Sequence, residues 1–169
     1  FESHLLKVAA RGFDWKEKVV GFLHDVAEDC EITVDVILEK LDTELSKITE
    51  NPKENWYEEE WWEEWMEDID VYPCTVTHSI TDEERNDIIM ALNLLNHNTA
   101  SSREEYIKRI AGNSLALRVK LNDLENNMDI SRIPDPTEKD LERNKRYQKE
   151  YEFLMTMLRD SINNEPNLL

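Results

Sequence analysis

The chain has 169 residues, 40% of them hydrophobic, with only three glycines and five prolines, as expected for one globular, mostly helical domain. Its formal net charge of −18 at pH 7 argues against binding to nucleic acid or to a membrane surface, because both attract Lys and Arg. No run of about 18 apolar residues occurs, so we expect a soluble protein with no segment that spans a membrane.

The two cysteines, Cys30 and Cys74, are too few and too far apart for a zinc motif or a disulfide framework. We therefore expect free thiols and a reducing, cytoplasmic compartment. The sequence begins at Phe1 rather than Met, inside an apparent helix, so we also expect that residues precede it.

The first two predicted helices bring histidines into apolar surroundings. Hydrophobic residues recur at helical spacing around His4, and Gly12 is predicted to end this first helix. Asp14 is the candidate N-cap of a second helix, which is predicted to continue to Asp29 and to be nearly buried.

A polar cluster lies at the end of the second predicted helix, in the sequence GFLHDVAED. If the helix is continuous, His24 stacks over Glu28 and Asp25 over Asp29, and the four side chains converge on one patch. Such a patch can hold a divalent cation beside an acidic pair. The alternative is a partly exposed His-Asp turn on an acidic surface helix.

The composition changes abruptly at about residues 51–72, where tryptophans alternate with glutamates. Within the Trp56–Ile69 segment, the spacing predicts one apolar helical stripe with the acids on the other side. The stripe contains Trp61, Trp62, Trp65, Met66 and Ile69. It is either a docking surface for a protein partner, or a lid, or an inserted amphipathic helix that packs on its own domain.

Capping patterns predict the later helices. One box at Thr81–Glu84 starts a helix that runs through Leu95, and a second box at Ser102–Glu105 starts a long helix to about Asn127. Gly112 and Asn113 weaken the middle of this long helix and are expected to mark a kink. After a break at Pro134–Pro136, a final helix is predicted from Thr137 to about Ile162.

A second group of polar residues lies near the end of the long predicted helix. Asp123 continues an inward-facing side of this helix, and Asn127 follows four residues later on the same face. A carboxylate that points inward requires a partner, and a metal ion is a suitable one.

Two histidines and two aspartates on three predicted helices resemble the ligand set of the HD superfamily of metal-dependent phosphohydrolases. The segment Gly21–Thr33, GFLHDVAEDCEIT, is similar to RelA/SpoT-type guanosine tetraphosphate hydrolases, in which a Glu-Asp pair follows the His-Asp pair. The segment Tyr106–Arg132, which contains the sequence KLND, is similar to the later segment of the same enzymes. With the HLLKVA opening, the resemblance covers most of the chain except the tryptophan-rich insertion.

The resemblance implies an all-α fold, in which residues 1–169 form one HD-domain helical bundle with the acidic, Trp-rich helix inserted at about 51–72. It implies four metal ligands, His4, His24, Asp25 and Asp123, and Mn²⁺ as the cation. It also assigns Glu28 and Asp29 to the activation and orientation of the attacking water, and Asn127 to substrate binding.

Some positions depart from the pattern of the alarmone hydrolases. Asn122, Asn126 and Asp129 stand where those enzymes often have Ala, His and Arg, and Leu5 follows His4 in place of Pro. Three functions stay open: a hydrolase of guanosine tetraphosphate, an HD phosphohydrolase of another nucleotide, such as a nucleoside mono- or triphosphate, and a non-catalytic protein that binds a partner through Trp56–Ile69.

Overall fold

A computed structural model describes residues 2–29, 33–40, 43 and 80–164. These residues form helices, turns and connecting segments and no strand, so the all-α class is confirmed for them. The helices are α1 (Glu2–Ala10), α2 (Trp15–Leu23), α3 (Val26–Asp29), α4 (Asp82–Leu95), α5 (Arg103–Ala111), α6 (Ser114–Met128) and α7 (Glu138–Asn164). Short 3₁₀ helices cover His97–Thr99 and Ile130–Arg132. None of the described helices has the length and apolar character needed to cross a membrane.

The chain divides into two compact units, Phe1–Val34 with Asp82–Leu169, and Asp35–Thr81. The first unit contains every predicted site residue. In the second unit residues 35–40 are helical. The predicted insertion at about 51–72, with its Trp56–Ile69 stripe, lies outside the described residues, so the prediction of one domain with an inserted helix stays a prediction.

Helix α6 is central to the first unit and packs against α1, α2, α4, α5 and α7. Nine of its 15 residues are buried, among them Leu117, Val119 and Leu124, each no more than 3% exposed. Neighbouring helices therefore cover most of its surface, including some of its polar side chains. Polar side chains on α6 are therefore held in fixed surroundings.

Helix α1 approaches α2 closely because Gly21 has no side chain. A Cβ atom at Gly21 would lie 3.1 Å from the Cα atom of Ala9, which is tighter than ordinary packing. Asp14 caps α2 as predicted, because its Oδ1 atom accepts a 2.9 Å hydrogen bond from the backbone N–H of Glu17. These contacts fix the position of α1, which carries His4.

Two helices predicted as continuous are broken in the structure. The second predicted helix ends at Leu23, and a turn at His24-Asp25 separates it from α3. The long helix predicted after Ser102 is likewise two helices, because Asn113 starts α6 by accepting a hydrogen bond from the N–H of Ala116. The other predicted bounds agree closely, since α4 ends at Leu95 and α7 begins at Glu138.

Candidate metal centre

Three helices bring together two imidazoles and two carboxylates. His4 lies on α1, His24 and Asp25 follow α2, and Asp123 lies on α6. One ligand atom each from His4, His24 and Asp123 lies within 4.8 Å of the others, the arrangement required of residues that share a metal ion. The Nε2 atom of His24 is 3.1 Å from Asp25 Oδ1, and that of His4 is 3.5 Å from Asp25 Oδ2.

A buried amide fixes the tautomer of His4. The Nδ1 atom of His4 lies 3.0 Å from the Oδ1 atom of Asn126 on α6. Because an amide oxygen can only accept, the ring proton is on Nδ1, and in the neutral ring Nε2 carries the lone pair. That atom lies 3.3 Å from Asp123 Oδ1.

His24 is oriented in the same way by the backbone of α2. Its Nδ1 atom donates a 2.7 Å hydrogen bond to the carbonyl oxygen of Gly21. The Nε2 atom is buried, has no hydrogen-bond partner among the described residues, and lies 3.7 Å from Asp123 Oδ1. Metal-binding histidines typically use the second ring nitrogen in this way.

Both histidines thus direct Nε2 at carboxylate oxygens. A lone pair and a carboxylate oxygen repel each other at these distances unless a cation lies between them, either a proton or a metal ion. Two imidazole nitrogens with carboxylate oxygens form a mixed set that suits a divalent cation such as zinc, iron or manganese. The described residues can therefore hold a metal ion at His4, His24 and Asp123.

The charge of Asp123 is balanced inside the protein. Lys120 on the same helix donates a 2.6 Å hydrogen bond to Asp123 Oδ2, and both side chains are buried. Burial opposes both charges, but the attraction between them outweighs it, so the pKa of Lys120 is raised and the pKa of Asp123 is held well below its usual value. Lys120 occupies Oδ2, and Oδ1 is the oxygen that approaches the two histidines.

The negative charge of Asp123 also affects the proton affinity of His4. The hydrogen bond to Asp123 raises the pKa of His4 above 6.5, although burial of the ring works in the opposite direction. The same carboxylate would attract a metal ion, so a proton on Nε2 and a metal ion would compete for one position.

The four predicted ligands open onto a pocket of about 230 Å³. Its other polar lining consists of Asn127, Lys120, Arg103, Tyr106 and Tyr147. Three cations surround the ring of Tyr106, since Arg103, Arg109 and Lys120 lie 5.0, 5.6 and 5.4 Å from its centroid. In a chain of formal charge −18, cationic groups are concentrated beside a candidate metal site.

The remaining predicted residues differ in their placement. Asn127 lines the pocket and donates a 2.6 Å hydrogen bond to Asp123 Oδ1. Asp29 is exposed and does not line the pocket, although its backbone N–H donates to the carbonyl oxygen of Asp25. Glu28 lies in α3, but its side chain is outside the description. The turn at His24-Asp25 therefore corrects the expectation of one continuous helix to Asp29, whereas the position of the Glu28 side chain over His24 stays a prediction.

Sequence reasoning missed three residues of this centre: Asn126, Lys120 as the partner of Asp123, and Arg103. Asn126 was noted only as a departure from related enzymes, yet it fixes the tautomer of His4. The spacing of polar residues on this helix could have indicated its role. Asn126 follows Asp123 by three residues, and Asp123 follows Lys120 by three, so their side chains lie on one face of the helix.

No family model matches the chain, and no curated protein matches it either.

Proposed function

We propose that this chain is a metal-dependent phosphohydrolase that acts on a nucleotide, with guanosine tetraphosphate as the first candidate substrate and its 3′-pyrophosphate as the leaving group. One observation supports it most strongly: the half-buried imidazole of His4 and the buried imidazole of His24 direct Nε2 at carboxylates, beside a pocket lined with cationic side chains. The first part of this arrangement suits a divalent cation, and the second suits a polyphosphate.

The ligands in this proposal are His4, His24, Asp25 and Asp123, and the cation is Mn²⁺, as the resemblance to RelA/SpoT-type enzymes implies. A divalent cation bound there lowers the pKa of water and polarises a phosphoryl oxygen. Gly21 and Asn126 hold the two imidazoles in the ligating tautomer. Lys120 keeps Asp123 ionised and well placed.

In this proposal, residues that line the pocket bind the substrate. Asn127, already anchored on Asp123, contributes an amide oxygen to substrate binding. Lys120 and Arg103 supply positive charge near the phosphates. As the resemblance implies, Glu28 and Asp29 activate and orient the attacking water, and the hydrogen bond from the backbone N–H of Asp29 to the Asp25 carbonyl oxygen ties their helix to the centre.

The test is release of pyrophosphate and phosphate by the full chain with Mn²⁺, from guanosine tetraphosphate and from common nucleoside mono- and triphosphates. Asp25→Ala removes a ligand, and Asp129→Ala is the matched control, since Asp129 is exposed and does not line the pocket. We expect metal-dependent release that Asp25→Ala reduces by at least about a thousandfold and the control leaves intact.

Release of phosphate only from nucleotides other than guanosine tetraphosphate would support phosphohydrolase activity but would contradict guanosine tetraphosphate as the substrate. If Mn²⁺ binds and no substrate is cleaved, the chain is not a phosphohydrolase of these nucleotides, and a partner-binding role for Trp56–Ile69 becomes the next hypothesis to test.

A further inference from the structure

Arg103, at the start of α5, lines the pocket and is held by a buried carboxylate of α7. Its Nε and Nη2 atoms donate hydrogen bonds of 2.9 and 2.7 Å to the two carboxylate oxygens of Glu150. Such a bidentate pair fixes the plane of the guanidinium group. Among the described residues Nη1 makes no hydrogen bond, so this end of the group keeps two donors.

Charge accounting favours an anion as the partner of those donors. Glu150 is about 9% exposed, and a second cation, Arg146, places its Nε atom 3.8 Å from Glu150 Oε1. Two guanidinium groups therefore share one carboxylate, and the cluster has a net positive charge. Glu150 does not line the pocket, whereas Arg103 does.

The ring of Tyr106 connects this cluster to the candidate metal centre. Arg103 lies 5.0 Å from the ring centroid and Lys120 lies 5.4 Å from it, and Lys120 is bonded to the predicted ligand Asp123. The hydroxyl of Tyr106 donates a 2.9 Å hydrogen bond to the carbonyl oxygen of Leu95, which fixes the ring. The spacing between the two cations is thus set by a buried, rigid side chain.

We propose that Arg103 binds an anionic group of the substrate through Nη1, at a second position of the pocket beside the metal centre, and that Glu150 is the positioning residue that holds Arg103 there. This inference rests on the proposed function and adds a subsite to it. A phosphate group is the ligand that matches these donors in charge and geometry.

The experiment measures the affinity of inorganic pyrophosphate for the Mn²⁺-loaded full chain by titration calorimetry, for the wild type and for Arg103→Met, Arg103→Lys and Glu150→Gln. Lys16→Met is the control, because it removes an ion pair between α2 and α4, Lys16 with Asp87, outside the pocket. Mn²⁺ affinity and thermal unfolding are measured on each variant.

We expect Arg103→Met to weaken pyrophosphate binding by about tenfold to a hundredfold, the loss typical of a charge-assisted hydrogen bond. Arg103→Lys and Glu150→Gln should each weaken pyrophosphate binding by about tenfold. Lysine lacks the two-pronged guanidinium group, and Glu150→Gln removes the carboxylate that orients Arg103. Mn²⁺ affinity should stay unchanged in all variants, and KM for a hydrolysed nucleotide should rise while kcat changes little.

Pyrophosphate affinity that is unchanged in both Arg103 variants would overturn the subsite, and a lower melting temperature alone would then mark Arg103–Glu150 as a structural pair. Unchanged or tighter binding in Glu150→Gln would overturn the positioning role. If the wild type cleaves nucleotides while Arg103 has no effect, only this inference fails. If the wild type binds pyrophosphate through Arg103 but cleaves nothing, only the proposed function fails.

Discussion

Asn126 joins α6 to the imidazole of His4, and its removal tests whether the tautomer of His4 matters. In Asn126→Ala the Nδ1 proton loses its acceptor and the ring can turn, so we expect Mn²⁺ affinity to fall by about 10- to 100-fold, as for other residues that orient metal ligands. Titration calorimetry measures the change. Asn122→Ala, on the same helix but less buried, is the matched control.

Equal losses in Asn126→Ala and Asn122→Ala would show that the effect comes from a general change in α6. An unchanged affinity in Asn126→Ala would show that the hydrogen bond to His4 has no role in metal binding.

The pKa of His4 predicts opposite pH trends for the metal-free and metal-bound protein. Its folded pKa is raised above 6.5, so protonation of His4 stabilises the folded metal-free protein below that pH, and this contribution is lost as pH rises through the folded pKa. A metal ion requires the unprotonated ring. We therefore expect Mn²⁺ affinity to increase by up to about tenfold per pH unit between about pH 6 and the folded pKa.

Calorimetric titrations in buffers with different ionisation enthalpies check this prediction, because binding should release a proton at low pH. An affinity that is flat across this range, with no proton released, would contradict the competition between proton and metal at His4.

The resemblance to the HD phosphohydrolases implied that His4, His24, Asp25 and Asp123 lie together. From the residues alone, the sequence predicted only a polar cluster at His24-Asp25 and an Asp123 side chain that points inward and requires a partner. It did not predict the role of Asn126. An amide on a helix gives no signal of its own, and its partner lies 122 positions away in the chain. The exposed position of Asp29 was not predicted either.

At the level of helices, Gly21 is predicted to set the distance between α1 and α2. In most helix interiors Ala is better than Gly by about 1 kcal/mol, but here the added Cβ would press on the backbone of Ala9. We expect Gly21→Ala to lower the free energy of unfolding by about 1–3 kcal/mol, as overpacking does, and to weaken Mn²⁺ binding by displacing α1.

Gly112→Ala is the control, because a Cβ there meets only the carbonyl oxygen of Arg109 at an ordinary 3.5 Å and the backbone is right-handed helical. Urea denaturation should place this variant within about 0.5 kcal/mol of the wild type. Greater stability of Gly21→Ala than of the wild type would show that α1 can move aside without cost.

Helix ends were predictable where a side chain caps them and unpredictable where they depend on tertiary structure. Asp14 and Ser102 cap α2 and α5 as expected. No Gly or Pro in the sequence indicates the turn at His24-Asp25, and the helical spacing of apolar residues continues through it. The break at Gly112-Asn113 was expected only as a kink, yet Asn113 caps a new helix.

If the proposed centre binds a metal ion, added metal should raise the melting temperature of the protein, because such an ion would bind only the folded arrangement of three helices. At a free Mn²⁺ concentration about 100-fold above Kd, the stabilisation is about 2.7 kcal/mol, which corresponds to about 5–10 °C for a chain of this size. Differential scanning calorimetry with Mn²⁺ and with a chelator measures the shift. Asp25→Ala should lose most of it, and an equal shift in that variant would place the bound metal elsewhere.

The His4–Asn126 hydrogen bond also has a consequence for biosynthesis. Because its two residues are 122 positions apart, the ribosome needs on the order of ten seconds to make the intervening chain. During that interval α1 and α2 have emerged without α6, and His4 and His24 lack Asp123. If the centre binds a metal ion, binding by the complete ligand set therefore follows the synthesis of α6, and until then the nascent chain carries both imidazoles without Asp123.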